Sequence, residues 1–183
     1  IERAIQGGVS VVQLREKEAS SRGLFELAKR VKRVTDKYDV PLIINDRLDI
    51  CLAVDAAGVH LGQTDLPCSE ARRILGAEKI IGVSAATPEE AAKAQSDGAD
   101  YLGVGAVFAT STKTNTRPVT AETIRAIRSA VDIPFVVIGG VNSENISGLY
   151  GMGINGAAVI SAIISQPDIT AAARKMRQAA ERL

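Results

Sequence analysis

Short apolar runs alternate with amphipathic stretches along the whole chain. Seven runs, rich in valine and isoleucine, cover residues 9–14, 41–44, 58–61, 79–83, 101–107, 135–138 and 156–160. Most of them are apolar on both faces, which is typical of strands in a parallel sheet that helices cover on both sides. The pattern therefore predicts seven parallel strands joined by helices.

The stretches between these runs carry apolar side chains at helical spacing. Leu24 and Val31 fall on one side of the first such stretch, and most of its charges fall on the other. Thr87 begins a capping box with proline at the first helical position. We predict a last helix from about Asp168, and we expect residues 1–8 to form the end of a helix that stops at two glycines.

This repetition predicts an α/β fold, a (β/α)8 TIM barrel whose first strand is missing from the given chain. Strands 2–8 and the tail of helix 1 would then form a single domain over residues 1–183. An open doubly wound sheet is the alternative. Barrels usually need at least ~200 residues, and a chain of 183 residues is short by about one strand and most of one helix. We therefore expect the natural protein to extend by roughly that much upstream of Ile1.

Composition narrows the possible functions. The formal net charge is +1, and aromatic residues make up 3% of the chain, with no tryptophan. Neither a basic field nor a platform of rings for nucleic acid is therefore expected. No apolar run approaches the ~18 residues of a membrane span, and two cysteines make no disulfide framework for a chain of this size. These features favour a cytoplasmic protein that binds neither nucleic acid nor membranes.

The first candidate site residues follow the first run. Both candidate folds bind ligands at the carboxyl ends of their strands. The last two residues of the first run begin the sequence QLREK, which is Gln13, Leu14, Arg15, Glu16 and Lys17. Because side chains alternate along a strand, Gln13, Arg15 and Lys17 are expected on one face. With the valines of the run inside the barrel, the two cations would point into its mouth, and the alternative is a charged strand end in water.

Two carboxylates follow neighbouring strands. Asn45 and Asp46 come after the second run, and Asp65 follows the third. Each of these segments resembles an ordinary turn in isolation. Because consecutive barrel strands are neighbours, Asp46 and Asp65 are expected on adjacent loops of one rim. Two carboxylates beside Arg15 and Lys17 suggest Mg2+ bound together with a polyphosphate.

The middle of the chain offers two more polar candidates. Ser84 directly follows the fourth run, and a hydrogen bond into the Thr87 turn is the alternative to a ligand contact there. His60 is the only histidine and lies within an apolar run. We expect it to be a core or rim residue whose hydrogen bonds are satisfied, because nothing near it resembles the turn that presents a nucleophilic serine.

Phosphate-binding features follow the last three runs. Residues 108–117 place five hydroxyl side chains around one lysine, a composition that suits phosphate oxygens and also fits a mobile, solvated loop. Gly139 and Gly140 follow the sixth run, and Ile160 and Ser161 end the seventh. In the predicted barrel these are strands 7 and 8, whose loops usually bind phosphate.

In their combination and order, these motifs resemble the thiamine phosphate synthase family. The motifs are QLREK at 13–17, Asn45-Asp46, GQTDL at 62–66, TSTK at 110–113, Gly139-Gly140 and Ile160-Ser161, and the resemblance spans residues 1–183. It implies a (β/α)8 barrel and a transferase. The implied reaction couples 4-amino-2-methyl-5-hydroxymethylpyrimidine pyrophosphate with hydroxyethylthiazole phosphate, or its carboxylate. The products would be thiamine phosphate and pyrophosphate, with CO2 lost as well from the carboxylate, and the mechanism would be dissociative.

The resemblance also implies a role for each motif. Mg2+ would be held by Asp46 and Asp65. The pyrimidine pyrophosphate would be held by Gln13, Leu14, Arg15, Glu16, Lys17, Asn45, Ser84 and Lys113. The thiazole phosphate would be held by Thr110, Ser111, Thr112, Gly140, Ile160 and Ser161. Arg15, Lys17, Ser84 and Lys113 would be the catalytic residues, since they would stabilise a leaving group of high negative charge.

One departure and two alternatives accompany the resemblance. Ala109 stands where the family often has proline before the hydroxyl loop. A thiazole tautomerase of the same fold is the nearest alternative, but it is expected to lack the second metal carboxylate and an intact hydroxyl–lysine loop. This chain keeps Asp65 and the loop sequence. A non-catalytic regulator that binds thiamine phosphate is the alternative from another class.

Overall fold

The structure, a computed structural model, describes residues 1–109 and 118–183. Its strands are β1 (Val12–Leu14), β2 (Leu42–Asn45), β3 (Gly58–Leu61), β4 (Ile80–Ala85), β5 (Tyr101–Gly105), β6 (Phe135–Ile138) and β7 (Gly156–Ala158). Its helices are α1 (Glu2–Gln6), α2 (Ser21–Lys37), α3 (Leu48–Ala53), α4 (Cys68–Leu75), α5 (Pro88–Ser96), α6 (Ala121–Ala130), α7 (Ser161–Ile164) and α8 (Ile169–Ala180), with a 3-10 helix at Ile146–Leu149.

The described strands form one parallel sheet in sequence order, β1 to β7, with β1 and β7 at its two edges. The sheet curls into a half-barrel, so the predicted α/β barrel class is confirmed. Consecutive strands are neighbours, which places successive strand ends side by side along one rim. The main differences from the predicted bounds are at strand ends. β1 begins at Val12 because Val11 is 51% exposed and makes no ladder contact.

The two faces of β3 carry different kinds of side chain. On β3, Val59 and Leu61 are buried in the main apolar core between the sheet and its helices. His60 lies between them in sequence and is 8% exposed, but it does not belong to that core. Because side chains alternate across a strand, His60 faces the inside of the curled sheet. The inner face therefore carries polar groups that the apolar pattern of the strand did not reveal.

Caps fix where two of the helices start. The Thr87 hydroxyl accepts a hydrogen bond from the Glu90 backbone N–H at 3.2 Å, as the predicted capping box requires. The Glu90 carboxylate accepts instead from the backbone N–H of Ala86 at 2.7 Å, one residue before the expected donor. Asp168 caps α8 through the Ala171 N–H at 3.0 Å, so the predicted start of the last helix is confirmed. Within the described ranges, no helix is long and apolar enough to cross a membrane.

Replacing Phe135 with alanine should destabilise the fold strongly. Phe135 is the first residue of β6, and its side chain is fully buried. The Arg128 guanidinium carbon lies 5.4 Å from the centroid of its ring. A phenylalanine-to-alanine change in a core costs about 3–5 kcal/mol, and about 2–4 °C of Tm accompanies each kcal/mol in a domain of this size. Thermal melts should therefore show a loss of roughly 6–20 °C. Phe25→Ala, which truncates a partly buried ring on α2, should lose clearly less.

Candidate active site

The two predicted metal carboxylates lie together at the carboxyl ends of the strands. Asp46 directly follows β2, and Asp65 lies in the loop after β3. Their carboxyl groups are in hydrogen-bonding contact. The Lys17 ammonium nitrogen lies 3.2 Å from the Asp46 Oδ2 atom, and the Gly62 N–H donates to Asp65 Oδ2 at 2.7 Å. The expected adjacency of the two loops is therefore confirmed, while their metal-binding role remains a prediction.

The backbone holds Asp46 in an unusual conformation. Its φ angle is +62°, in the left-handed region that few side chains adopt and that aspartate tolerates better than most. Its N–H donates to the His60 carbonyl at 2.9 Å, and Asn45 is the ladder partner of His60. This bond continues the β2–β3 pairing by one residue. The end of the sheet thus aims the Asp46 carboxylate toward the loop that carries Asp65.

The electrostatics of the pair suit a cation. Burial and the contact with Asp46 raise the pKa of Asp65, although the Gly62 N–H and Lys17 act in the opposite direction. The Asp65 carboxyl therefore ionises less readily than an isolated aspartate, and a cation beside it would favour its charged form. Mg2+ is commonly held by one or two carboxylates together with water and substrate phosphates. Among the described residues no group of three or more acidic, histidine or cysteine side chains could hold a metal, so this pair matches only such a shared site.

In the metal-free protein, Asp65→Asn should raise the Tm at pH 7. Folding raises the pKa of Asp65, so the ionised carboxylate is less favourable in the folded chain than in the unfolded chain. This penalty exists above the folded-state pKa and vanishes as the pH falls below the ordinary aspartate value of about 4. The gain in Tm, measured by thermal melts from pH 7 to pH 3, should therefore shrink toward acid.

Asp55 provides the matched control for that experiment. Lys79 lowers the pKa of Asp55, to which it is paired at 2.5 Å. The sign is opposite, because the ionised form of Asp55 is favoured by folding and contributes stability above its unfolded pKa. Asp55→Asn should therefore lower the Tm at pH 7. Equal shifts of the same sign in Asp55→Asn and Asp65→Asn would contradict the assignment.

The QLREK segment reaches the same rim, but β1 ends too early to place its side chains alternately on two faces. β1 ends at Leu14, whose side chain packs against the apolar core, so only its backbone is left for a ligand. Arg15, Glu16 and Lys17 lie beyond the strand and are exposed, and the Glu16 carboxylate accepts from the Glu18 N–H at 2.9 Å. The expected common face of Gln13, Arg15 and Lys17 therefore has no strand to support it. Lys17 still meets Asp46.

A chain of polar side chains crosses the inside of the curled sheet below this rim. His60 Nδ1 lies 2.9 Å from the Tyr101 hydroxyl oxygen, and His60 Nε2 lies 2.9 Å from the Ser84 Oγ atom. The Gln13 side chain hydrogen-bonds the Tyr101 phenol. His60 is thus the satisfied, buried histidine expected from the sequence. The Ser84 Oγ atom contacts His60 rather than the Thr87 turn, and the Thr87 hydroxyl caps α5.

Sequence reasoning missed Tyr101 and Gln63. The Gln63 Nε2 atom donates to the Ser84 carbonyl at 2.6 Å and so fixes the end of β4. Tyr101 starts β5 and so lies at the opposite end of that strand from its carboxyl end, where ligands bind in such folds. The available signal was a glycine at the ladder partner of a tyrosine: Gly82 pairs with Tyr101, and a Cβ on Gly82 would overlap the phenol ring.

The glycine pair after β6 lies against the start of the hydroxyl loop. Gly140 has a φ of +64°, and a Cβ on it would overlap Phe108 and the Ala109 carbonyl. The Phe108 N–H donates to the Gly139 carbonyl at 3.1 Å, so pairing between the ends of β5 and β6 continues beyond both strands. The Asn145 side-chain amide also donates to the Gly140 carbonyl at 2.8 Å. The turn is therefore held rigidly at the rim.

The remaining predicted phosphate ligands divide into two groups. Ile160 and Ser161 follow β7, the strand next to β6, and both are exposed. They therefore lie on the same rim as Gly140. Thr110, Ser111, Thr112 and Lys113 lie outside the described residues.

Known proteins resemble this chain over most of its length. A family model described as thiamine monophosphate synthase matches residues 1–163. A protein of Ruminiclostridium cellulolyticum named thiamine-phosphate synthase is 57% identical over 176 residues, which cover 96% of this chain and 84% of that protein. A protein of the same name from Clostridium botulinum is 51% identical over 183 residues, which cover 100% of this chain and 86% of that protein.

Solved structures place the fold in the same group. A thiamine phosphate pyrophosphorylase from Pyrococcus furiosus superposes with a TM-score of 0.91 at 39% identity, covering 98% of this chain and 87% of that one. A geranylgeranylglyceryl phosphate synthase from Thermoplasma acidophilum, at 16% identity and a TM-score of 0.72, shares the fold alone. The family model and the identities over nearly the whole chain show that the chain belongs to the thiamine monophosphate synthase family, a family of transferases.

Proposed function

We propose that this chain joins a hydroxymethylpyrimidine pyrophosphate to a hydroxyethylthiazole phosphate and releases thiamine phosphate and pyrophosphate. If the thiazole enters as its carboxylate, CO2 is released as well. The observation that carries the proposal is the Asp46–Asp65 pair with Lys17 beside it, at the carboxyl ends of adjacent strands. Family membership and the names of the relatives support the same activity. The precise substrates and the metal are part of the proposal.

The leaving group determines what the protein must supply. Pyrophosphate departs with both electrons of the C–O bond and leaves a pyrimidine methylene cation. The thiazole nitrogen then uses its lone pair to form the new C–N bond. Charge thus builds on the pyrophosphate oxygens as the first bond breaks, so groups fixed against those oxygens accelerate the reaction most. Lys17, Arg15 and Lys113 are the cations assigned to this task.

The carboxylate pair fits a bound Mg2+ ion. Asp46 and Asp65 would hold it, with the pyrophosphate oxygens and water completing its oxygen shell. When bound, the ion would neutralise charge on the departing pyrophosphate. Lys17 contacts Asp46 at 3.2 Å, so this cation lies where it can also reach an anion held beside the carboxylates.

The thiazole phosphate is assigned to the other side of the rim. Gly140, Ile160 and Ser161 follow the two last strands, where barrels of this kind usually bind phosphate. The absence of a Cβ at Gly140 lets Phe108 and the Ala109 carbonyl pack closely against this turn, which holds the turn in place at the rim. The two ligand sites would then share the rim, which brings the thiazole nitrogen toward the pyrimidine methylene carbon.

The proposed reaction requires no strong general base. Both ring nitrogens of His60 already have hydrogen-bond partners, and the ring is buried. Capture of the methylene cation by the thiazole nitrogen transfers no proton. The geometry of the described residues is therefore consistent with a dissociative coupling.

The direct test is pyrophosphate release by the protein with both substrates and Mg2+, each omitted in turn. We expect release and thiamine phosphate formation only when all three are present. Turnover of the thiazole substrate to an isomer, without coupling, would replace the proposal with a tautomerase. Tight binding of thiamine phosphate with no turnover would replace it with a regulator.

A further inference from the structure

The polar chain inside the sheet links four strands in a fixed order. Gln13 lies on β1, Tyr101 on β5, His60 on β3 and Ser84 on β4. Two consecutive bonds, Tyr101 to His60 and His60 to Ser84, are each 2.9 Å long. Ser84 lies nearer the rim than His60 and Tyr101, since both pair with Gly82, which stands two residues before Ser84 on β4. The polar chain therefore connects the interior of the curled sheet to the mouth of the half-barrel.

Two directions of proton donation satisfy every hydrogen bond of this polar chain. In one direction Tyr101 donates to His60 Nδ1, and His60 Nε2–H donates to Ser84, whose own proton then points outward. In the other direction Ser84 donates to Nε2, and Nδ1–H donates to Tyr101. A neutral imidazole has one donor and one acceptor nitrogen, so its tautomer decides the direction. The amide of Gln13 can donate to the phenol or accept from it, and it fits either case.

We propose that Tyr101 holds the His60 imidazole as its Nε2–H tautomer, and that Ser84 thereby becomes a hydrogen-bond donor toward an anionic ligand at the mouth. Tyr101 and His60 are thus positioning residues. This inference rests on the proposed function, because the anion is taken to be the pyrophosphate group. We name these three residues the Tyr101–His60–Ser84 relay.

The surroundings support the outward direction. Burial raises the pKa of Tyr101 to about 12, so the phenol keeps a proton to donate. Ser84 is held from its backbone side by the Gln63 amide at 2.6 Å, and Gln63 belongs to the same loop as Asp65. An anion bound beside that loop attracts protons, and a hydroxyl that accepts from an N–H becomes a better donor. The opposite direction would present serine lone pairs to the anion.

The rings have little freedom to leave this arrangement. A Cβ on Gly82 would overlap the Tyr101 ring, and a Cβ on Gly103 would lie 2.9 Å from the His60 ring. The ring centroids of His60 and Tyr101 are 5.5 Å apart with an interplanar angle of 43°. The two glycines thus provide the space that keeps both rings in register across the sheet.

The tautomer can be read directly because the chain has one histidine. Protein labelled with 15N-histidine gives one pair of ring nitrogens, and their long-range couplings to the ring protons identify the protonated nitrogen. With Mg2+ and inorganic pyrophosphate as the probe, we expect Nε2 protonated and Nδ1 unprotonated. The Nδ1–H tautomer, or a doubly protonated ring, would overturn the relay.

Kinetics test whether the relay acts through Ser84. Tyr101→Phe keeps the ring packing and removes the donor, so it should lower kcat by about three- to tenfold, the worth of one neutral hydrogen bond. It should also reduce the Nε2–H population. In a Ser84→Ala background the same change should leave kcat almost unaltered, because the relay would have no end point. An equal loss in both backgrounds would show a merely structural role and overturn the proposal.

One control variant and two distinct outcomes separate the relay from the proposed function. Tyr150→Phe removes a phenol that bonds the Ala179 carbonyl at 3.2 Å on the outside, and it should change neither tautomer nor kcat. Coupling by a protein with an Nδ1–H imidazole would overturn the relay alone. An Nε2–H imidazole in a protein that couples nothing would overturn the proposed function and leave the tautomer assignment in place.

Discussion

Asp46→Asn is expected to lower kcat/KM for coupling by about 10- to 100-fold and to raise the Mg2+ concentration needed for half-maximal rate. Contacts to charged groups are worth about 1.5–3 kcal/mol, which corresponds to this range. Asparagine keeps the size of the side chain and tolerates the φ of +62°. The loss should therefore reflect charge and not folding. Asp65→Asn should behave alike, because the two carboxyl groups are in contact.

Asp55→Asn is a closely matched control for Asp46→Asn. Asp55 also has a positive φ, of +51°, and its carboxylate also pairs with a lysine. It precedes β3, however, and so lies at the opposite end of the sheet from the rim. This variant should keep the kcat/KM and the Mg2+ dependence of the wild type. Unchanged Mg2+ dependence in both Asp46→Asn and Asp65→Asn would remove the metal assignment.

Lys113→Ala should cause the largest loss of kcat. Lys113 lies outside the described residues, and its role rests on the TSTK motif and the family resemblance. An ammonium placed against the pyrophosphate gains importance as the C–O bond breaks, so kcat should fall together with kcat/KM. One such contact is worth about 2–4 kcal/mol in a closed site, or roughly thirty- to a thousand-fold. Steady-state coupling kinetics beside a melting curve provide the measurement.

Two further variants separate charge from geometry at this position. Lys113→Arg keeps the charge but alters the shape of the donor, so it should recover part of the activity. Lys175→Ala, at an exposed residue of α8, should leave both kcat and Tm close to the wild-type values. Near-normal kcat in Lys113→Ala would show that the hydroxyl loop faces solvent and would invalidate the proposed assembly of the site.

The positions of Asp46 and Asp65 show what the sequence can predict. The apolar runs identify the strands, strand order follows from the parallel repeat, and the residues after each strand must then meet at one rim. This reasoning needs no knowledge of any side-chain contact. It is less reliable one residue further on. The expected common face of Arg15 and Lys17 required β1 to continue past Leu14, and the strand ends there.

Tyr101 and Gln63 show what the sequence could not predict. A tyrosine at the start of a strand looks like an ordinary amphipathic residue, and its inward contact with His60 depends on the register of three strands, β3 to β5. The bond from Gln63 to the Ser84 carbonyl depends on the path of a loop. Periodicity carries information about faces, but the pairing of individual polar atoms depends on three-dimensional distances.

The space beside the Tyr101 ring has a consequence for how this enzyme family can vary. Gly82 offers no side chain to a ligand, yet any larger residue there would push the ring that contacts His60. In a screen for lost activity, a substitution at Gly82 should therefore have the same effect as a substitution in the active site, although Gly82 is buried below the rim. Gly82 and Tyr101 are expected to tolerate change only together, as a covarying pair of a small and a large residue on adjoining strands.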